Sequence, residues 1–214
     1  MRTPFNSLVA TVEIMEDKGI SESTEEFKLR LQNLRKQARE LNYLSENLLD
    51  WARSQVGELR YESELFNISD IIHAMLRLIN PQAQQKGILI ESRIPWDMQA
   101  YGDRHMLATV IRNLVANAVK YTPKGGKIFL EAETAENEII VHVVDNGKGI
   151  SEERIPDLFS QRTKRGTPGT EGERGSGLGL LVCKDFIKKQ HGDLWVTSTP
   201  NVETRFSFSV PSKA

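Results

Sequence analysis

The stretch RNLVANAVKYT contains Asn113 and Asn117, four residues apart, followed by Lys120 and Tyr121. On a helix these four residues gather on one side, while the apolar residues between them face inward. Amide oxygens are hard ligands that suit Mg²⁺, and a lysine ammonium is a mobile counter-charge for phosphate. The same pattern also fits an ordinary solvated helix face, so this stretch alone leaves both interpretations open.

The stretch VVDNGKGI consists of a strand that ends in Asp145, followed by Gly147 and Gly149. Ligand clefts open at the carboxyl ends of strands, and a buried carboxylate there can accept a hydrogen bond from an amino group such as that of adenine. A pair of glycines by itself is weak information, because any tight turn uses glycine.

In GSGLGLLVCKDF, Gly175, Gly177 and Gly179 run directly into an apolar helix. Backbone N–H groups at a helix N-terminus can bind an anion, which makes this stretch a candidate phosphate site. A Rossmann-type dinucleotide site is the rival interpretation. We disfavour it because that fingerprint follows the first strand of a βαβ unit, whereas this stretch follows a long loop.

The loop from Ser160 to Ser176 has no apolar periodicity and is rich in Gly, Thr, Lys and Arg. A stretch of this length without secondary structure in a compact domain is usually a functional lid or disorder, and we interpret it as a lid. Arg162, Lys164 and Arg165 would then close over a triphosphate, although a charge run in a loop is more often simply solvated.

Short strands alternate with helices after Gly57, which predicts an α/β sandwich domain over residues 58–214. Helices are expected from about Ile68, from about Arg104 to Tyr121, and after Gly177. The expected strands are ELRYES, ILIESRI, MQAYG, GKIFLEAET, EIIVHVVD, DLWVTST and TRFSFSV. The last two should form a hairpin with Phe206, Phe208 and Val210 on one face.

The N-terminal 57 residues have a different pattern. Apolar or small residues recur from Phe27 to Ala52 at alternating steps of four and three, which is typical of a helix–helix seam. A shorter apolar pattern from Phe5 to Met15 precedes it across a short loop. We predict an antiparallel helical hairpin over residues 1–57, completed by a second copy into a four-helix bundle, and hence a homodimer. The overall fold class is α+β.

Composition excludes several classes of protein. The net charge is −1 with mixed charges along the chain, so nothing indicates nucleic acid or an anionic membrane surface as the main partner. Cys183 is the single cysteine, which excludes an internal disulfide and a cysteine-built metal site. No apolar run is long enough to cross a bilayer, and we expect a cytoplasmic chain without direct membrane contact.

Taken in order, the three motifs resemble the ATP-binding domain of the GHKL superfamily, the Bergerat fold shared by sensor histidine kinases, gyrase B, a heat-shock chaperone and mismatch-repair ATPases. NLVANAVKYT, DNGKGI, PDLF and GSGLGL are similar to the histidine-kinase forms. The resemblance covers nearly the whole chain and implies ATP and Mg²⁺ as cofactors.

The resemblance also implies residue roles. Asp145 would hold the adenine amino group, Asn117 would ligate Mg²⁺ with Asn113 beside it, and Lys120 would contact phosphate. Further ATP-binding positions would be Tyr121, Gly147, Gly149, Ile150, Phe159, Arg162, Lys164, Gly175, Ser176, Gly177, Leu178, Gly179, Leu180 and Thr204. One departure is PNVETRF, where Asn201 and Glu203 stand at positions at which glycine is common in the family.

The opening stretch MRTPFNSL resembles the phosphoacceptor motif of histidine kinases from its arginine onward. Arg2, Thr3 and Pro4 would be the remnant of that catalytic motif, with the acceptor histidine two positions before Met1 and therefore absent from the sequence. The resemblance implies further segments upstream, including a membrane anchor in some family members, and a phosphatase role at the position of Thr3. We expect the chain as given not to phosphorylate itself.

Three functions remain under consideration. The leading one is the catalytic core of a sensor histidine kinase, which transfers the γ-phosphoryl group of ATP–Mg²⁺ to a hairpin histidine and then to an aspartate of a response regulator. An ATP-driven clamp or ATPase of the same fold would need a water-activating carboxylate before the asparagine pair, where Val110, Ile111 and Arg112 stand. A non-catalytic dimeric scaffold would bind no ATP.

Overall fold

The computed structural model describes residues 61–160, 167–173 and 177–213, and the helical positions 9, 12, 13, 25–35, 37, 38, 41, 45 and 49. The chain divides into two compact units, Met1–Arg53 and Ser54–Ala214. The first unit is helical wherever it is described, including all of residues 25–35. Most of the predicted hairpin, with Arg2, Thr3 and Pro4, lies outside the described residues.

A five-stranded sheet forms one layer of the second unit. Its strands are β2 (Leu89–Ser92), β4 (Lys127–Ala135), β5 (Glu138–Asp145), β6 (Leu194–Thr199) and β7 (Glu203–Pro211). They lie in the order β2-β4-β5-β7-β6. β2 runs parallel to β4, and every other pair is antiparallel. Ile139, Val141 and Val143 are buried at every second position of β5, as expected for a sheet with one face on the core.

A separate two-stranded sheet pairs β1 (Glu64–Asn67) with β3 (Gln99–Gly102) in antiparallel register. This corrects the expectation that ELRYES is a strand, since residues 61–63 are not in a strand and β1 begins at Glu64. Ala100 in β3 is fully buried, whereas Leu65 in β1 is 60% exposed. Pairing with β3 and the burial of Phe66, which is 7% exposed, therefore position this strand.

The helical layer consists of α1 (Ile68–Gln85), α2 (Arg104–Tyr121) and α3 (Gly179–Lys189). Asn67 caps α1 by accepting a hydrogen bond from the Ser69 N–H at 2.9 Å. Asp103 caps α2 by accepting from the N–H groups of residues 105 and 106, at 2.9 and 3.0 Å. α2 lies between α1 and α3 and also contacts β5, so it is the central helix of the layer.

Several sequence predictions are confirmed. α2 and β5 have the predicted bounds, and the sandwich architecture agrees with the alternating strand and helix patterns. Phe206, Phe208 and Val210 are all buried on β7, which pairs with β6 as a hairpin. None of the helices in the described parts of the chain is both long and apolar enough to span a membrane.

A buried and an exposed leucine in two helices allow the contribution of core packing to stability to be tested. Leu114 in α2 is fully buried, and Leu78 in α1 is 64% exposed. We expect Leu114→Ala to lower the free energy of unfolding by about 2–5 kcal/mol, because it removes buried methyl groups and leaves a cavity. Leu78→Ala should change it by less than about 0.5 kcal/mol. Urea denaturation of both variants checks this, and equal effects would contradict the packing of α2 described above.

Candidate functional site

Asp145 ends strand β5 between the neighbouring strands β4 and β7. Its side chain is 3% exposed, and its Oδ1 accepts a hydrogen bond from the Gly147 N–H at 2.9 Å. Burial raises the pKa of the Asp145 carboxyl to about 7, the Gly147 hydrogen bond opposes this shift, and the charge of Glu203 adds to it. The site thus holds a buried carboxyl that can exchange its proton near neutral pH.

The turn after Asp145 requires glycine at two positions. A Cβ on Gly147 would lie 2.5 Å from Asp145 Oδ1 and 2.5 Å from the carbonyl oxygen of Tyr121. Gly149 has φ 68°, and a Cβ there would lie 2.6 Å from Pro200 Cα. Close backbone approach therefore explains the Gly-x-Gly spacing, and the Lys148 N–H donates to the Tyr121 carbonyl at 3.2 Å, which joins this turn to the end of α2.

The turn between β6 and β7 accommodates the departure from the family pattern. Asn201 has φ 60°, a left-handed conformation that asparagine tolerates better than most residues. Its N–H donates to the Lys148 carbonyl at 3.0 Å. Thr204 is 4% exposed and pairs with Asp145 across the strands, with its hydroxyl 3.1 Å from that of Ser198. Thr204 thus lies beside the buried carboxyl although the turn lacks glycine.

Ser198 is a residue that the sequence analysis missed. Its hydroxyl oxygen accepts from the Ile150 N–H at 2.9 Å and also donates to the Glu203 carbonyl at 2.9 Å. It therefore connects the Gly-x-Gly turn to the β6–β7 turn. No local pattern distinguishes Ser198 from the threonines on either side of it, Thr197 and Thr199, so only the fold identifies it.

Helix α2 presents only part of its predicted polar side. Asn117, Lys120 and Tyr121 are half-buried along one edge of the helix. Asn113 is fully buried, and its Nδ2 donates to the Thr109 carbonyl of the preceding turn at 3.0 Å. The side of α2 that was predicted to carry these four residues is therefore buried at Asn113 and half-buried farther along, so it is not an ordinary solvated face.

Tyr121 forms the centre of a small cationic cluster. The ammonium groups of Lys120 and Lys148 each lie 4.8 Å from the centre of its ring. Its hydroxyl donates to the Thr167 carbonyl at 3.2 Å. Lys148 lies inside the DNGKG motif but was not among the predicted site residues, since a lysine in a turn is usually solvated.

Helix α3 begins at Gly179, with Leu178 as its N-cap residue and Leu180 in its first turn. No side chain caps this end, and Gly177 just before it has φ 74°. Leu178 itself supplies no capping side chain, so this end of α3 is a helix N-terminus of the kind whose backbone N–H groups can bind an anion. Gly175 and Ser176 lie outside the described residues, as do Arg162 and Lys164.

Phe159 is half-buried at the start of the predicted lid, with the Lys184 ammonium 5.8 Å from its ring centre. Residues 167–173 of the same loop are described and form neither helix nor strand. Thr170 donates through its N–H to the Lys120 carbonyl at 3.1 Å and through its hydroxyl to the Thr122 carbonyl at 2.9 Å. This part of the loop is therefore held against the end of α2.

The described residues contain no group of three or more His, Cys, Asp and Glu side chains that could hold a metal ion. A Mg²⁺ ion at this site would accordingly depend on phosphate oxygens and water, with the Asn117 amide as its protein ligand. That is the usual arrangement for Mg²⁺ bound with a nucleotide, so the residues present fit the ion.

The raised pKa of Asp145 predicts how the stability of the protein depends on pH. Its folded-state pKa, about 7, lies above the value of about 4 expected in the unfolded chain, so its contribution to stability is complete below the unfolded value and is lost as pH rises through about 7. We expect the unmutated protein to lose stability relative to Asp145→Asn between about pH 5 and pH 8.

Urea denaturation at the two pH values measures this difference. Asp70→Asn, which removes a carboxylate from an exposed position of α1, is the matched control. A relative stability that moves the other way, with Asp145→Asn losing stability as pH rises, would contradict a neutral buried carboxyl.

Comparison with known proteins agrees with this geometry. Residues 102–214, more than half of the chain, match the family described as histidine kinase-, DNA gyrase B-, and HSP90-like ATPase. The adaptive-response sensory kinase SasA of Microcystis aeruginosa is 32% identical over 219 residues, which cover 99% of this chain and 56% of SasA. The chain thus spans little more than half the length of this relative.

Solved structures give the same result for the fold. The catalytic domain of histidine kinase ThkA is 28% identical, with a TM-score of 0.62, over 71% of this chain and 96% of that one. ThkA in complex with the response regulator protein TrrA superposes over 99% of this chain and 58% of that one, with a TM-score of 0.72 at 22% identity, a likeness of fold alone. From the family match and the architecture, the chain belongs to the histidine kinase-, DNA gyrase B- and HSP90-like ATPase family.

Proposed function

We propose that this chain is the ATP-binding catalytic core of a sensor histidine kinase that acts in the cytoplasm. The observation that carries the proposal is the buried Asp145 carboxyl, 3% exposed, at the end of β5 and directly before a turn that hydrogen-bonds to the end of α2. A buried hydrogen-bonding group at a strand end is suited to reading one edge of a base, since leaving it without a partner is costly. Asp145 would accept from the adenine amino group.

The phosphates would lie toward the cationic edge of α2 and the N-terminus of α3. Lys120 and Lys148 supply two ammonium groups beside Tyr121, and the start of α3 supplies backbone N–H groups at the positive end of its helix dipole. Asn117 would ligate Mg²⁺, which when bound neutralises phosphate charge and orients the γ-phosphoryl group. The chemistry asked of the protein is therefore positioning and electrostatic stabilisation.

The acceptor in this proposal is a histidine on a helical hairpin, followed by an aspartate of a response regulator. The four histidines of the sequence are His73, His105, His142 and His191, all in the unit Ser54–Ala214. His142 is on β5 with its ring Nδ1 2.8 Å from the Ser207 hydroxyl, so it is committed to the sheet. We accordingly propose that the chain as given binds ATP without phosphorylating itself.

A response-regulator receiver domain is the proposed partner, because the structurally similar ThkA is solved in complex with the response regulator TrrA. The alternative clamp or ATPase function has less support. Val110, Ile111 and Arg112, which precede the asparagine pair, carry no carboxylate, so this turn of α2 offers none to activate a water molecule. Absence of ATP binding would instead favour the scaffold.

We also propose a homodimer through the N-terminal helices. Phe27 and Leu31, one helical turn apart on the predicted seam, are 43% and 38% exposed in the single chain. Apolar side chains in such a row are usually covered by another helix, and a second copy supplies one by symmetry.

ATP binding is the first test of this function. Loss of a hydrogen bond to a charged group costs about 1.5–3 kcal/mol, which is roughly ten- to a hundredfold in affinity. We expect Asn117→Ala to weaken Mg²⁺-dependent ATP binding by this amount and Asp145→Ala to weaken adenine recognition with or without Mg²⁺. Calorimetric titration with a non-hydrolysable ATP analogue measures both effects.

Asn80→Ala, on the exposed side of α1, is the matched control and should bind like the unmutated chain. Unchanged nucleotide affinity in folded Asn117→Ala and Asp145→Ala proteins would overturn the proposed site.

Dimerisation is tested by two leucines of the same helix. Leu31 lies on the predicted seam, whereas Leu29 lies off it and is 59% exposed. Leu31→Glu would bury an unpaired charge between helices, at a cost of several kcal/mol in order of magnitude, and should give monomers. Leu29→Glu should remain dimeric by light scattering. An unmutated chain that is monomeric at high concentration would show the dimer proposal to be wrong.

A further inference from the structure

A buried lysine lies where α1 ends. Lys86, the C-cap residue of α1, is 5% exposed. Its ammonium donates to the carbonyls of Val119 and Lys120 in the last turn of α2, at 2.9 and 3.1 Å, and to Glu173 Oε1 at 2.9 Å. The positive charge thus sits at the negative end of the α2 dipole and has three acceptors, as a buried ammonium requires.

The partner carboxylate organises the segment Thr167–Glu173. Glu173 Oε2 accepts from the Glu171 N–H at 2.8 Å, and the Glu173 carbonyl accepts from the Gly169 N–H at 2.8 Å. Burial opposes ionisation of Glu173, but the hydrogen bond from Lys86 and those from backbone N–H groups outweigh it, so its pKa is lowered. The segment is therefore closed on itself around one ionised side chain.

The same segment contacts the residues proposed to bind the nucleotide. The Tyr121 hydroxyl donates a hydrogen bond to the Thr167 carbonyl at 3.2 Å. The Lys148 ammonium donates one to the Pro168 carbonyl at 2.6 Å. Gly169 lies so close to the stem of Lys120 that a Cβ would be 2.7 Å from Lys120 Cγ. The position of the segment therefore limits where the Tyr121 ring and both ammonium groups can lie.

A second ion pair joins the same segment to the turn after α2 and offers a contrast. Lys124 and Glu171 are 3.8 Å apart, with side chains 77% and 45% exposed. Such exposed pairs contribute about 0–1 kcal/mol. In the Lys86–Glu173 pair the side chains are 5% and 20% exposed, and removing one member leaves the other buried without its partner. The buried pair thus fixes the segment, whereas the exposed pair adds little.

We propose that Lys86 is a positioning residue for the nucleotide site: by joining the last carbonyls of α2 to Glu173, it holds the Thr167–Glu173 segment against Tyr121, Lys120 and Lys148. The inference rests on the proposed ATP binding, which it deepens. Lys86 itself does not touch the nucleotide. Its effect is to keep the phosphate-facing groups ordered before the ligand arrives, so that binding does not have to order them.

The first experiment needs no ligand. Hydrogen exchange is measured by NMR in the nucleotide-free protein at the amides of Gly169, Thr170 and Gly172, which all donate within this region. Glu173→Gln and Lys86→Met should accelerate exchange at these amides by about tenfold or more while amides of β5 keep their protection. Lys124→Met, the matched control, should leave all of them unchanged. Glu173→Gln preserves shape and decides the matter if Lys86→Met does not fold.

The second experiment measures affinity for ATP–Mg²⁺ and for adenosine. In the unmutated protein, nearly all molecules should hold the Thr167–Glu173 segment against Tyr121, Lys120 and Lys148. If only a minority of Glu173→Gln and Lys86→Met molecules do so, their ATP affinity should fall by roughly three- to tenfold. Adenosine affinity should change by less than about twofold, because the adenine contact proposed for Asp145 is on β5. A merely structural role would lower both affinities equally.

The outcomes separate the two proposals. Unmutated protein that binds no ATP would overturn the proposed function and the positioning role together. Unmutated protein that binds ATP, with both variants binding as tightly as Lys124→Met, would overturn the positioning role alone. Unchanged exchange at residues 169–172 in both variants would likewise overturn it.

Discussion

The packing of α2 between α1, α3 and β5 is the constraint on which the rest of this unit depends. Seven apolar side chains of α2 are buried, each no more than 3% exposed: Met106, Leu107, Val110, Ile111, Leu114, Val115 and Ala118. At about 25 cal/mol per Å² of apolar surface, exposing even two of them by rotating the helix would cost several kcal/mol. Packing in the core therefore fixes the rotation of α2 about its axis. It thereby also fixes the orientation of the edge that carries Asn117, Lys120 and Tyr121.

Burial of the Asp145 carboxyl has the opposite effect on stability from burial of the apolar side chains of α2. Strand pairing with β4 and β7 places it in the interior, where burial disfavours its charge, and the Gly147 N–H offsets only part of that penalty. Such a position weakens the fold above neutral pH and leaves a buried hydrogen-bonding group at the end of β5. Perturbed carboxyls of this kind are concentrated at functional sites, which is why this residue supports the proposed function better than any single cation does.

The charged groups around the site differ in how they are held. The ammonium of Lys86 is buried with three acceptors, whereas Lys120 and Lys148 lie along a tyrosine ring and remain half-buried. A lysine with a complete set of buried acceptors is a structural connection, while half-buried ammonium groups keep the capacity to pair with an incoming anion. One end of α2 thus carries the fully paired ammonium of Lys86 and, beside it, the half-buried ammonium groups of Lys120 and Lys148, the second of which also donates to the Pro168 carbonyl.

Local patterns in the sequence determined the bounds of α2 and β5 and the places of the glycine turns, because periodicity, caps and turn residues act over a few neighbouring positions. They failed where a contact joins distant residues. ELRYES was predicted as a strand, but residues 61–63 lie outside the strands and pairing with β3 selects Glu64–Asn67 instead. The role of Ser198 in joining two turns was missed altogether. The contact of Lys86 with Glu173 joins residues 87 positions apart, and no window of sequence contains both. The sequence by itself determined which chemistry-bearing groups the chain carries; tertiary structure decided which of them are buried and paired, because desolvation and ion pairing depend on the surroundings that only the folded chain provides.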